Sequence, residues 1–236
     1  MLVAAAVCPC PPLLVPEVAS GAASELDALR AACLDAVAVL AAARPDRLVV
    51  VGPAGPADQG HHPQGAAGTF RGFGVDLDVR LGDGQPAGER VLPQSLTVAA
   101  WLLGRTGWAT APVEGLGIGE WAGAEECLET GRGLAARGDR VALLAMGDGS
   151  ACRTLKAPGY LDDRAEGFDA ATARALGAAD TGALAALDED LARQLQAAGR
   201  APWQVLAGAA EGAGLRGALL HDEAPYGVGY FVAAWS

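Results

Sequence analysis

Short apolar runs, each bounded by proline, glycine or charged residues, recur along the chain and predict buried strands. Four of them are LVAAAVC (2–8), RLVVVG (47–52), RVALLAM (140–146) and GALLHDE (217–223). Runs of this length with little polar alternation are typical of strands that are covered on both faces. We therefore expect all four to be buried in one central sheet.

Helical periodicity fills the intervals between these runs. In residues 24–46, apolar side chains recur on one helical face, Ser24 is placed to cap the helix, and Pro45 is placed to stop it. The apolar residues are Leu26, Leu29, Cys33, Val37 and Leu40. Further helices are predicted near residues 93–107, 122–138, 163–177, 180–198 and 201–213, and further strands at 69–81, 108–117 and 227–235.

The alternation of strands and helices predicts the fold class. A strand followed by a helix and a second strand favours parallel pairing with a right-handed crossover. Neither a repeat nor an interdomain linker interrupts residues 1–236. The sequence therefore predicts a single α/β domain with three layers, α/β/α, around a central sheet that is mostly parallel or mixed.

Charge and apolar content narrow the range of partners. The 17 basic and 28 acidic residues leave a net charge of −11, which repels phosphate backbones and argues against a nucleic-acid partner. The longest apolar helix is interrupted by Arg30 and Asp35 and is too short to span a membrane. The N-terminus lacks the basic segment that signal peptides carry. We therefore expect a cytoplasmic protein with no membrane partner.

The number and spacing of the cysteines also favour a cytoplasmic location. Five cysteines, an odd number at irregular spacings, are typical of reduced thiols in a cytoplasmic protein. One proline separates Cys8 from Cys10, which leaves little freedom for a disulfide between them. Taken alone, both residues favour a buried apolar role over metal binding.

Other residues whose side chains could bind a metal or act as an acid follow the predicted strands. His61 and His62 lie in a loop, residues 53–67, that is rich in glycine and proline, and adjacent histidines usually point apart. Asp148 stands between two glycines, a setting that favours a turn former over an acid. Taken alone, these residues indicate no particular chemistry.

Several longer stretches add information because they stand in a fixed order along nearly the whole chain. They are PCPPLLVPE (9–17), VVVGPAGPA (49–57), GDGSAC (147–152) followed by APGYLDDRAEGFD (157–169), and HDEAPYGVGYFVA (221–233). Together they resemble the LigB-like family, which comprises the catalytic subunits of class III extradiol ring-cleavage dioxygenases, and its Memo-like relatives. The resemblance implies a LigB-like fold for the whole chain.

The resemblance also implies a metal site. Members of this family hold non-haem iron(II) with two histidines and a carboxylate, and a further histidine acts as acid and base. In this chain the first histidine position falls on Cys10, the second on Ala54 or Gly55, and the acid–base position on Ala151 or Cys152, whereas the carboxylate is retained as Glu223. We therefore expect a family member that has lost the iron site, holds no cofactor and binds a small molecule or a protein.

Two alternatives stay open. A metal-dependent, dioxygenase-like enzyme would need a rearranged site in which Cys10, His61 or His62, and Glu223 hold Fe(II) or zinc. Chemistry without a metal would use Cys10 or Cys152 as a nucleophile. A homo-oligomer is compatible with each of these hypotheses.

The strand-end rule for α/β sheets, joined to the resemblance, predicts where a ligand binds. The expected pocket is lined by Cys10, Pro53, Ala54, Asp148 and Glu223, with Cys152 and His221 as further candidates. His221 and Glu223 alternate along one predicted strand and could therefore share a face. A carboxylate near a buried strand end is costly unless it is paired, which draws attention to Glu223.

Overall fold

The computed structural model describes residues 1–85 and 91–236, and its centre is a sheet of seven strands. The strands of the chain are β1 (Leu2–Cys8), β2 (Arg47–Ala54), β3 (Gly60–His62), β4 (Ala67–Thr69), β5 (Asp78–Arg80), β6 (Val113–Gly119), β7 (Val141–Met146), β8 (Gly217–Glu223) and β9 (Tyr230–Trp235). The central sheet has the order β3–β6–β2–β7–β1–β9–β8, and β4 and β5 form a separate hairpin. Its inner strands β6, β2, β7 and β1 are parallel, whereas β3, β9 and β8 each run antiparallel to a neighbour. The sheet is therefore mixed, as the sequence predicts.

Helices cover both faces of this sheet. They are α1 (Pro16–Ala19), α2 (Asp27–Ala42), α3 (Gln94–Thr106), α4 (Ala124–Ala135), α5 (Ala165–Ala178), α6 (Thr181–Ala185), α7 (Glu189–Gln194) and α8 (Arg200–Ala210). Apolar residues of α2 and α3 pack on one face, and those of α4, α5 and α8 pack on the other. This arrangement confirms the three-layer α/β/α architecture.

Strand β1 illustrates why an uninterrupted apolar run is stable here. Ala6 and Cys8 face the core under α2 and α3, whereas Ala5 and Val7 face the core under α8. All four are buried, so each successive side chain enters an apolar layer. The same condition holds for β2 and β7, whose apolar runs confirm the prediction of buried strands.

Strand β8 contradicts that prediction. The run GALLHDE forms the outer edge of the sheet, pairs with β9 alone among the described strands, and leaves Leu219 and Leu220 exposed. Its register against β9 slips between Leu219 and His221, which marks a bulge. The expectation of burial was wrong because an apolar run does not specify how many neighbours a strand has.

The start of α2 also differs from the expectation. Ser24 lies inside a 3-10 helix, Ser20–Leu26, and its side chain caps nothing; α2 itself begins at Asp27. The apolar face was predicted correctly, because all five of its residues are buried. These are Leu26, Leu29, Cys33, Val37 and Leu40.

Two other predicted elements are divided in the structure. Residues 180–198 form α6 and α7, because the side chains of Asp180 and Asp188 each accept a backbone N–H and start a new helix. Residues 69–81 are not one strand: β4 and β5 pair across a turn that contains a 3-10 helix. No helix in residues 1–85 and 91–236 combines the length and apolar character that crossing a bilayer requires.

Candidate functional site

The carboxyl ends of the parallel strands bring four side chains to one edge of the sheet. In spatial order these are Glu120 after β6, Ala54 at the end of β2, Asp148 after β7 and Cys10 after β1. We call them the strand-end row. β9 runs in the opposite direction, so its first residue, Tyr230, lies at the same edge beside β1. This edge is where α/β proteins usually bind ligands.

Cys10 and Asp148 are joined directly within the row. The backbone N–H of Cys10 donates a hydrogen bond to Oδ1 of Asp148 at 2.8 Å. The backbone carbonyl of Asp148 accepts from the N–H of Gly199 at 2.8 Å, and Gln94 Nε2 donates to the carbonyl of Cys10 at 3.4 Å. Asp148 therefore ties the loop after β1 to the start of α8, a role beyond that of a turn former.

Burial controls protonation at this edge. It raises the pKa of Asp148 to about 6, although the N–H of Cys10 partly offsets the effect. It also raises the pKa of the Cys10 thiol well above its ordinary value, and the negative charges of Asp148 and Glu120 raise that pKa further. Burial likewise raises the pKa of Tyr230, with Asp148 adding to the effect. At neutral pH Cys10 is a thiol and not a thiolate, so it is neither a strong nucleophile nor a ready metal ligand.

A cavity of about 470 Å³ opens at the ends of β2 and β6. Its wall includes Ala54 and Glu120 of the strand-end row, together with Trp121, Glu126 and Thr130. The other residues expected to line a pocket, namely Cys10, Pro53, Asp148 and Glu223, are not part of its lining. The cavity therefore lies nearer to β6 than the sequence predicts.

A buried guanidinium fixes the loop that forms this wall. Arg200, at the start of α8, is 2 % exposed and donates to the carbonyl of Glu120 at 2.7 Å and to that of Ala122 at 2.5 Å. It also donates to Oε1 of Gln204 at 2.9 Å. Arg200 was not among the predicted site residues, because its sequence signal is one charge at the head of a strongly apolar helix.

The histidines of the predicted loop lie on β3, at the far side of the sheet. His61 is exposed and its Nε2 lies 3.2 Å from Oε2 of Glu114, whereas His62 is 1 % exposed and bonds the carbonyl of Asp58 at 2.8 Å. The two rings point apart, as expected. Four strand spacings, roughly 19 Å, separate β3 from β1. Neither histidine therefore approaches Cys10.

Glu223 and His221 lie on the edge strand β8. Nε2 of His221 is 3.8 Å from Oε2 of Glu223, so the two side chains share a face as the alternation predicts. The side chain of Glu223 is 64 % exposed, which makes the expectation of a buried carboxylate wrong. Glu223 pairs with Tyr230 of β9 in the sheet and is thus two strands away from Cys10, with β9 between them. Its exposure follows from the edge position of β8.

Cys152 and Ala151 are both buried, in the segment that follows Asp148. The Cys152 sulfur lies 3.5 Å from the carbonyl oxygens of both Gly159 and Leu195, and its single S–H can donate to either. Burial raises its pKa, as does the nearby charge of Asp162. The sulfur thus holds two loops together and is protonated at neutral pH, which does not favour a nucleophilic role.

Asp169, a buried acid that sequence reasoning missed, orders the same segment. Its carboxylate accepts from the N–H of Ser150 at 2.8 Å, from Oγ of Ser150 at 2.7 Å and from Arg153 Nη1 at 3.1 Å. Burial raises the pKa of Asp169, and the bonds from Ser150 and Arg153 oppose that change. These contacts anchor the strand-end loop to α5. In the sequence Asp169 is one acidic residue within the predicted helix, and nothing there shows that its side chain is buried.

The donor atoms at the strand ends do not fit the iron site that the resemblance implies. The positions to which the resemblance assigns the two imidazoles carry a thiol at Cys10 and no ligand atom at Ala54 or Gly55, and the side chain of Glu223 is mostly exposed to solvent. Across residues 1–85 and 91–236, no three His, Cys, Asp or Glu side chains are grouped so that they could hold a metal ion. Iron(II) in such sites takes two imidazoles and a carboxylate, so we derive no chemistry through it.

Comparison with known proteins agrees with the fold. No family model matches the chain, and no curated protein matches it. The chain is similar to the crystal structure of the uncharacterized protein JW3007 from Escherichia coli K12, with 15% sequence identity, a TM-score of 0.59 and coverage of 99% of both chains. At this identity the similarity establishes a shared three-layer fold over the whole length.

Proposed function

We propose that this chain is a LigB-like protein that has lost the iron site of the extradiol dioxygenases and binds a small molecule at its strand ends. One observation supports the proposal most directly. The positions that the resemblance assigns to the two imidazole ligands are Cys10, just after β1, and Ala54 or Gly55, at the end of β2, and only β7 separates these two strands in the sheet. The positions are thus near one another, while they carry a protonated thiol and no other ligand atom.

The adjacent cavity supports binding in place of metal chemistry. Its volume of about 470 Å³ falls in the range of roughly 300 to 1,000 Å³ that is typical of small-molecule sites. Ala54 belongs to both the strand-end row and the cavity wall. The loss of an imidazole at this position leaves room in the wall that a ligand can use.

The rearranged metal site has less support. It would require His61 or His62 to leave β3 and cross to the end of β1, a separation of roughly 19 Å by strand count. His62 would have to give up its buried bond to Asp58. We therefore do not adopt the metal-dependent enzyme as the function.

Metal content and ring cleavage test the proposal. The purified chain is incubated with Fe(II) or Zn(II), freed of unbound metal on a desalting column and analysed, and catechol turnover is followed in air. We expect substoichiometric metal and no ring-opened product. Loss of one supporting partner of a metal ligand already weakens affinity or activity about 10- to 100-fold, and here two ligand positions are changed.

Two variants make the result decisive. Cys10→Ser removes the thiol at the first ligand position, and His61→Ala removes an exposed imidazole whose loss leaves the core intact. Circular dichroism confirms that both fold. Stoichiometric metal in the wild type that disappears in either variant would overturn the proposal in favour of the rearranged enzyme.

A further inference from the structure

The carboxylates of the cavity at the ends of β2 and β6 form no ion pair within the described part of the chain, although the guanidinium groups of Arg193 and Arg200 lie against the outside of its wall. Two carboxylates, Glu120 and Glu126, belong to its wall, and none of the described residues that line it is Lys, Arg or His. Within the described part of the chain, neither carboxylate has a basic side chain within ion-pair distance. Other surface acids do have such partners, for example Glu125 and Glu211 with Arg132. A cation can thus approach Glu120 or Glu126 without breaking an existing ion pair of either carboxylate.

An exposed indole stands between these carboxylates in the sequence. Trp121 is 55 % exposed, although tryptophan usually buries most of its surface. The guanidinium of Arg193 lies 5.6 Å from the centre of its ring, so this indole already receives a cation. A ring that contacts both water and a cation at a cavity wall is well suited to stack on an aromatic or cationic ligand.

The wall is held in place by hydrogen bonds, and the backbone at its floor is closely packed. Arg200 engages the carbonyls of Glu120 and Ala122 from the protein side, which fixes the loop that carries Trp121. Gly117 lies in the cavity lining, and a Cβ there would overlap the backbone oxygen of Asp58 and come within 2.8 Å of Ala54 Cβ. The site is therefore formed before any ligand arrives, which lowers the entropic cost of binding.

We infer that this cavity binds an organic cation with an aromatic ring, whose positive charge lies beside Glu120 and Glu126 and whose ring stacks on Trp121. The inference rests on the proposed binding function and specifies its ligand. The positive charge offsets the carboxylates, and the ring covers the exposed indole. An anionic ligand would add repulsion to a chain whose net charge is already −11.

A series of three ligands with one ring and different charges tests the inference. Benzylamine, benzyl alcohol and benzoate are titrated into the full-length protein, and binding is followed by calorimetry and by chemical shifts of the ligand. We expect benzylamine to bind about threefold to tenfold more tightly than benzyl alcohol, benzoate to bind least, and the preference for benzylamine to shrink as salt rises. Equal affinities of the amine and the alcohol would overturn the inference.

Matched variants locate the site. Glu120→Gln and Glu126→Gln should each weaken benzylamine binding about two- to fivefold and leave benzyl alcohol unchanged. Glu129→Gln, on the same helix as Glu126 but outside the cavity lining, removes the same charge and should change neither affinity. Equal losses in the Glu129 and Glu126 variants would show general charge attraction and refute the site.

The aromatic contact is tested separately. Trp121→Ala should weaken both benzylamine and benzyl alcohol, whereas Trp121→Phe should retain most of the affinity because it keeps a ring. Unchanged binding in the alanine variant would refute the stacking. Stoichiometric metal in the wild type would refute the proposed function while leaving the charge preference measurable, so the two failures can be distinguished.

Discussion

Cys10 and Asp148 are 138 positions apart in the chain, and the backbone N–H of the first donates to the carboxylate of the second at 2.8 Å. The bond crosses from the loop after β1 to the loop after β7, two adjacent parallel strands. It fixes the relative position of two strand ends that a ligand-binding edge requires. Removing the Asp148 carboxyl group, or changing its protonation, should therefore change the stability of the fold.

Asp148→Ala should destabilise the fold, and Asp148→Asn should do so much less. Alanine leaves the Cys10 N–H without an acceptor in a largely buried place, a loss of about 1 to 3 kcal/mol. Asparagine retains an oxygen in the same position. Urea unfolding, followed by circular dichroism, measures both. Equal stability of the alanine variant and the wild type would contradict the anchoring role.

The same carboxyl group should make stability depend on pH. Its pKa is about 6 in the fold and near 4 when unfolded, so the native state binds the proton more tightly. The resulting stabilisation is complete below about pH 4 and is lost as the pH rises through about 6, a change of roughly 2 to 3 kcal/mol. Asp148→Asn cannot titrate, so the free energy of unfolding of the wild type minus that of the variant should fall across this interval. A constant difference would contradict the raised pKa.

Arg200→Met should destabilise the protein by about 2 to 4 kcal/mol, because it leaves the carbonyls of Glu120 and Ala122 without their buried donors. Arg193→Met is the control: Arg193 is exposed and pairs with Asp190, and its loss should cost no more than about 1 kcal/mol. Denaturant titration measures the free energy of unfolding of both variants, provided that its dependence on denaturant concentration is the same for each. Similar losses would show that Arg200 has no special structural role.

Restoring the imidazoles should restore metal affinity if the resemblance to the extradiol dioxygenases is correct. The double variant Cys10→His/Ala54→His returns both histidines to strand ends that only β7 separates. We expect it to bind Fe(II) more tightly than either single variant, by at least about tenfold. Iron titration monitored by calorimetry measures this gain. If the double variant binds no better than the wild type, the assignment of these ligand positions is wrong.

Much of the fold could be predicted because it depends on local pattern. Strands β1 and β7 are apolar throughout and β2 is apolar after Arg47, and burial on both faces of a sheet requires such runs. Strand β8 begins with a comparable apolar run, GALL, yet its exposure depends on how many strands pair beside it. β9 pairs with β8 on one side and no other described strand pairs with it on the other, and no pattern within β8 reveals this.

The site was less predictable for a related reason. A cavity does open at strand ends, but Ala54 is the one predicted pocket residue in its lining. The opposite orientation of His61 and His62 follows from strand geometry. The bond between Cys10 and Asp148 and the buried contacts of Arg200 are tertiary, and neither has a sequence signature. The cavity wall depends on the loop that Arg200 fixes, so its charge and its exposed indole became visible only in three dimensions.

The bulge in β8 affects how the protein behaves at high concentration. A regular edge strand offers evenly spaced N–H and C=O groups to any other strand, and Leu219 and Leu220 would add apolar contact to such pairing. The slipped register between Leu219 and His221 breaks that spacing where the edge is most apolar. Aspartate and glutamate at the end of the strand add charge repulsion between copies. The bulge therefore disfavours edge-to-edge pairing of β8 with strands of other copies.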